Sequence, residues 1–210
     1  MTPQKSLLLI ACSALVREVK ALERLNGWDH VSLQCLPAEL HNRPEMIPGA
    51  VRALIEKAGS AFDEILVAYG DCGTGGRLDD VLADSGARRL PGAHCYSFLA
   101  GAEQFDALHE EEPGTFYLTD FLVRHFDRLV IRGLGLDRHP ELLSTYFGNY
   151  RRVVYLAQTR SVQLESKARG CARRLDLAFE LRFTGLAPLE RALGVKAVRH
   201  GAEQERPWSD

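Results

Sequence analysis

Apolar runs of strand length alternate with stretches of helical period along nearly the whole chain. This alternation constrains the fold more than any other feature. The first run, Ser6–Cys12 (SLLLIAC), shows no polar alternation, which suits a strand covered on both faces in a parallel sheet. Leu15, Val19, Leu22 and Leu25 come next at helical spacing, and Asn26-Gly27 ends that helix. His30–Leu36, Phe62–Tyr69, Ala87–Leu90, Arg151–Ala157 and Ala178–Thr184 read as further strands with helices between them. The loop PAELHNRPEMIPG carries Pro37, Pro44 and Pro48, so no regular element is expected to cross it. The expected fold is α/β, a doubly wound and mostly parallel sheet. A small, mostly helical insertion is expected around residues 96–150, where Leu129–Leu134 reads equally as strand or helix. Residues 1–200 are expected to form a single α/β domain and residues 201–210 a polar tail.

Composition narrows the function classes. A hydrophobic fraction of 46% and a charged fraction of 26% are those of a globular chain, and 210 residues can bury a core without staples. The net charge of −2 argues against nucleic acid or an anionic membrane as the main partner. The arginines at 151, 152, 160, 169, 173 and 174 therefore read as a solvated face. Neither a membrane-spanning run nor a secretion signal is found, and a cytoplasmic location is expected.

Five cysteines in such a chain do not form a disulfide framework, so each is a core residue, a nucleophile or a metal ligand. In open α/β sheets, ligands sit outside the carboxyl ends of the strands. The first strand ends in Cys12, and the second is followed by His41-Asn42-Arg43-Pro44. The third runs into Asp71-Cys72-Gly73-Thr74-Gly75-Gly76, and the fourth is followed by His94-Cys95-Tyr96. Three cysteines and two histidines therefore converge on one edge of the sheet.

Thiolate with imidazole is a donor set for zinc, so Cys12, His41, Cys72, His94 and Cys95 are the candidate metal ligands. At least two of the three cysteines should share one centre, with His41 or His94 directed at it. Alternatively, Cys72 is a metal-free nucleophile with His41 or His94 as its base. A glycine-rich loop would lower its pKa and supply an oxyanion hole. Gly73, Thr74, Gly75 and Gly76 are the candidate nest for a small-molecule substrate or cofactor, although the loop lacks a Walker ending. Asp71 either orients a histidine or is a solvated loop carboxylate. Cys35 and Cys171 read as core, and His109, His125 and His139 as surface residues. A third alternative is a non-catalytic module holding a tetrapyrrole or other cofactor against Tyr96, Phe98, Phe105, Phe116, Tyr117 and Phe121.

Five motifs together carry a family resemblance. They are Cys12, His41 to Pro44, Tyr69 to Gly73, Cys95 before Leu99-Ala100-Gly101, and Pro113 to Thr119. Over residues 5–195 the chain resembles a widespread bacterial and archaeal family of unknown function. It departs from the pattern at Phe116, where the family tends to tyrosine, and at Asp120-Phe121. Members are often encoded beside corrinoid-dependent methyltransferase components. The resemblance thus implies one-carbon metabolism, a corrinoid as a linked cofactor, and a corrinoid protein or methyltransferase as partner.

Overall fold

The computed structural model describes residues 5–196, so the reading of a polar tail falls outside the described residues. Its strands are β1 (Leu7–Cys12), β2 (Val31–Leu36), β3 (Glu64–Ala68), β4 (Arg88–Arg89), β5 (Thr115–Thr119), β6 (Arg152–Ala157) and β7 (Ala178–Phe183). The longer helices are α1 (Val16–Asn26), α2 (Ile47–Ala58), α3 (Arg77–Ala83), α4 (Cys95–Ala100) and α5 (Ala102–Glu111). They continue as α6 (Asp120–Arg124), α7 (Leu143–Phe147), α8 (Val162–Arg174) and α9 (Ala187–Leu193). The α/β class and the parallel pairing agree with the sequence expectation. The strands, however, divide between two sheets, ordered β2-β1-β3-β4 and β5-β6-β7, every pair parallel.

The division has a local cause. β4 is two residues long and both are arginines, with Pro91 just beyond it. A short, charged strand before a proline is a poor template for a further neighbour, so the first sheet stops there. The region expected as a helical insertion is indeed mostly helical, and it also contributes β5, the edge of the second sheet. Leu129–Leu134, ambiguous in sequence, begins in a π-helical turn at Asp127–Ile131.

All six residues of β1 are buried. Leu7, Leu9 and Ala11 face Leu15, Val19 and Leu22 on the α1 side, together with Phe98 of α4 and Leu189 and Leu193 of α9. Leu8, Ile10 and Cys12 face Ile47 and Val51 of α2 and Leu78 and Leu82 of α3. The last helix thus returns to the first sheet, and Asn26 donates a hydrogen bond to Glu190 at 2.8 Å. In the second sheet, Val153, Tyr155 and Ala157 pack on α8, while Tyr117, Val154 and Leu156 pack towards Leu108 of α5. Among the described residues, no helix is long and apolar enough to cross a membrane.

Several isolated readings are settled by burial. Cys171 is buried on α8, as expected. Cys35 is exposed rather than core, because β2 is an edge strand and the side chain faces outward. Of the arginines, Arg152 is not a solvated residue. It pairs with Glu111 at 3.0 Å and Glu180 at 2.9 Å, with its side chain 14% exposed.

The carboxyl end of the second sheet is tied by Asp120, which is 1% exposed. Its carboxylate accepts hydrogen bonds from the Tyr155 hydroxyl at 2.6 Å, the Gln158 backbone N–H at 3.1 Å and the Thr159 hydroxyl at 2.5 Å. Truncating this hub leaves several buried donors unpaired. Asp120→Ala should therefore lower stability by about 3 kcal/mol, read as a fall in the urea midpoint at unchanged slope.

Candidate functional site

The Cys72 loop and the segment leading to Cys95 are held together by backbone contact. Asp71 N–H donates to the Gly92 carbonyl at 2.9 Å and Cys72 N–H to the Ala93 carbonyl at 2.8 Å. This approach requires glycine at position 70. A Cβ there would lie 2.8 Å from the Gly92 oxygen and 3.1 Å from the His94 nitrogen. A Cβ on Gly73 would lie 3.3 Å from Pro44, so the same loop also packs on the His41 to Pro44 segment. Two glycines of one motif thus set the distances to both neighbouring motifs.

Cys72 has φ +50°, a left-handed conformation that side-chain-bearing residues seldom adopt. The next four residues form a closed turn. The Asp71 carboxylate accepts from Gly75 N–H at 3.1 Å, Gly76 N–H at 2.9 Å and the Thr74 hydroxyl at 2.9 Å. These hydrogen bonds pull the Asp71 pKa down to about 2, the Gly76 N–H contributing most. The nest expected of Gly73, Thr74, Gly75 and Gly76 for a substrate is therefore corrected: the anion it holds is the chain's own Asp71. The same bonds give Asp71 a role other than the two expected of it, that of closing the Cys72 turn.

Cys12, at the end of β1, is 2% exposed and receives the Ala14 N–H at 3.5 Å. Its Sγ lies 3.9 Å from Nδ1 of His41. Tetrahedral zinc with sulfur and nitrogen ligands at ordinary bond lengths would set them about 3.6 Å apart. Cys72 is 6% exposed, and Cys95, the first residue of α4, is half-buried. Burial is the first cause that pushes all three thiols up, Cys72 to about 11, and the neighbouring thiols add to it at Cys72 and Cys95. His41 is exposed at the rim, but protein around its ring and the nearby His94 hold its pKa below the usual imidazole value. His94 is itself exposed at the start of α4, and its carbonyl accepts from Ser97.

All five expected ligands thus stand on adjoining segments, and of them Cys12 and His41 approach to near ligand spacing. Among the described residues, no three His, Cys, Asp or Glu side chains are so placed that they could hold a metal ion. The expected lowered pKa at Cys72 is also corrected, because burial outweighs the backbone groups of Gly70 and Cys95 that act the other way. A thiol at this value is ionised to about one part in ten thousand at pH 7. Without a cation to hold it as thiolate, it is a weak nucleophile.

Tyr69 carries no role in the sequence reading, although it opens the Tyr-Gly-Asp-Cys-Gly motif. It is 1% exposed, and its hydroxyl has no hydrogen bond of full geometry. The closest group to it in character is the Cys12 thiol, with Cys72 and Cys95 nearby. A buried hydroxyl that faces sulfur is a donor for a thiolate or a bound ligand.

An apolar cleft of about 250 Å³ opens between the two sheets and reaches His41 and Cys95. Leu15, Tyr96 and Leu99 line one side, and Phe116, Phe121 and Leu134 the other. Among the described residues, no Asp, Glu, Lys or Arg lines it. Of the aromatic residues expected around a ligand, Tyr96, Phe116 and Phe121 do line this cleft, whereas Phe98 is buried in the core of the first sheet. The Leu129–Leu134 stretch was invisible as a wall, since its strand-or-helix ambiguity gave it no face.

Two measurements check this geometry. Gly70→Ala should cost about 2–3 kcal/mol in thermal or chemical unfolding, because the clash is with backbone that cannot turn aside. In metal-free protein at pH 8, mass-spectrometric alkylation profiling should show exposed Cys35 reacting first and Cys72 slowly. Labelling of Cys72 should then accelerate as the pH rises towards about 11.

A comparison with curated proteins gives no match. Among solved structures, the ornithine carbamoyltransferase from Pyrococcus furiosus is similar at 17% identity, with a TM-score of 0.28. That match covers 84% of this chain, which spans about half (53%) of the carbamoyltransferase. The model of the family described as protein of unknown function (DUF1638) matches residues 35–193, from β2 through α9. That stretch takes in the His41, Cys72 and Cys95 loops and most of the cleft lining, and leaves Cys12, Ala14 and Leu15 outside. With three quarters of its length matched, the chain belongs to the DUF1638 family of proteins of unknown function.

Proposed function

We propose that the chain binds a small organic molecule in the apolar cleft and acts on it with a soft-metal thiolate centre at the cleft mouth. Zinc is the ion that suits the donor set, and Cys12, His41, Cys72 and Cys95 are its ligands, with His94 alongside. The observation that carries this reading is the Cys12–His41 contact at 3.9 Å, beside the Cys72 loop whose Gly73 packs on Pro44. The hydroxyl of Tyr69 supports it, being a buried donor that a thiolate would satisfy.

Bound zinc would hold a thiol as nucleophilic thiolate or polarise a substrate oxygen. The chain's own contribution is a dry, uncharged chamber that orients an apolar molecule against Cys95 and His41. A metal-free cysteine nucleophile is the weaker alternative, because burial works against the thiolate it needs. The link to corrinoid and one-carbon chemistry rests on the family resemblance alone. Because a corrin macrocycle far exceeds a 250 Å³ cleft, a corrinoid enters this reading as cargo of a partner methyltransferase component.

The test is metal analysis of protein purified without a metal-binding tag, followed by zinc titration against a chromophoric chelator. One zinc per chain is expected, with affinity falling at least tenfold in Cys72→Ser and in Cys12→Ser. Substoichiometric zinc that cannot be restored by titration, or an affinity unchanged in Cys72→Ser, would overturn the metal reading.

A further inference from the structure

A second hollow, of about 520 Å³, lies beyond the wall that Tyr96 and Phe116 form at the side of the cleft. It runs along β5 from His94 to Asn149. Six aromatic residues line it: Tyr96, Phe105, Phe116, Tyr117, Tyr146 and Tyr150. Among the described residues, no Asp, Glu, Lys or Arg does. In a chain with 26% charged residues, an open hollow of this size lined by no Asp, Glu, Lys or Arg is selective by omission. Beyond the imidazoles of His94 and His109, its lining gives no counter-charge to a phosphate or a carboxylate.

The rings of Tyr96, Phe105 and Tyr117 form a continuous tilted surface over the core of the second sheet. Tyr96 stands 5.5 Å from Tyr117 and 6.4 Å from Phe105, and Phe105 stands 5.1 Å from Tyr117, at interplanar angles of 35–47°. His109 stacks on Phe105 at 6.2 Å and 9°. At the far side Phe116 meets Tyr150 edge-on at 5.8 Å. Tyr146 remains 45% exposed, a large aromatic at the rim whose face is left to solvent.

Polar groups occupy particular places on this surface. Tyr117 lines the hollow but is 6% exposed, and its hydroxyl is buried beside Thr115 and Arg152. Asn149 lies at one end and His94 at the other. Glycine at 114 lets the turn before β5 close on the Asn149 carbonyl, which a Cβ would meet at 2.7 Å. Ring faces with a few hydrogen-bonding groups at their margins are the pattern that recognises a flat molecule by stacking and by its edge.

We infer that this hollow is a binding site for a small, uncharged, planar heteroaromatic molecule, held against Phe105 and Tyr146 with its polar edge towards Asn149. The site is separate from the cleft and does not depend on the thiols. Phe105 and Tyr146 line the hollow and not the cleft, whereas Tyr96 and Phe116 line both. The consecutive residues His94 and Cys95 serve the two chambers in turn, His94 the hollow and Cys95 the cleft. A ligand seated here would lie next to the cysteine-bearing edge of the first sheet.

The test uses the full chain and indole as the planar probe, with choline as a non-planar cation that aromatic rings can also hold. Saturation-transfer difference NMR and a titration give the dissociation constant. Indole should bind, and Tyr146→Ala and Phe105→Leu should each weaken it about tenfold, the loss of one stacking partner. Tyr146→Ala guards against misfolding, since it changes an exposed ring. Cys72→Ser, which tests the metal centre, should leave indole binding unchanged. The proposal is overturned if indole gives no transfer, if it binds equally well to both aromatic variants and so sits elsewhere, or if choline binds more tightly than indole.

Discussion

The two-sided burial of β1 is the constraint on which the first sheet, and with it the site, depends. A strand of six buried residues needs neighbours on both edges and helices on both faces. β2 and β3 supply the first, and α1 with α9 and α2 with α3 supply the second. Parallel pairing then places every strand's carboxyl end on the same side. Cys12, the His41 loop, the Cys72 loop and the Cys95 helix arrive at one edge because the hydrophobic run of β1 leaves no other economical arrangement.

Within that edge, spacing is set by backbone rather than by side chains. The 69–73 loop touches the 91–94 loop through two N–H to carbonyl bonds, and only glycine at 70 permits it. The adjoining turn is closed by Asp71, which holds Gly75 and Gly76 and leaves Cys72 in a left-handed conformation. A cysteine in that conformation, on a turn held from both ends, has little freedom to relax. The thiols are therefore presented in a fixed, dry cluster in which their neutral forms are favoured. A bound cation is the natural way to reverse that preference.

The two chambers differ in chemistry. The cleft is apolar and meets Cys95 and His41, whereas the hollow beyond Tyr96 and Phe116 is aromatic with polar margins. Among the described residues, neither lining carries an Asp, Glu, Lys or Arg, and the charged residues of the second sheet are paired elsewhere, as Arg152 is with Glu111 and Glu180. The Asp120 hub ties the end of β5 to β6 and to the segment just after it.

The α/β class, the parallel pairing and the convergence of His41, Cys72 and Cys95 were legible because each arises from local pattern. Apolar runs mark strands, and in a parallel sheet the loop after each strand lies at the carboxyl edge. The same logic misplaced Cys35, because β2's position at the edge of the sheet is a property of strand order and not of HVSLQCL. It likewise gave one sheet where there are two, since only the brevity and charge of β4 stop the first from growing. A nest for a ligand and a nest for Asp71 have the same glycines, and only the closed turn distinguishes them. The sequence thus determined which residues reach the site edge, through hydrophobic period and strand direction. The tertiary structure alone decided which of them touch, how deeply the thiols are buried and where the cleft opens, because those depend on backbone approach between segments far apart in the chain.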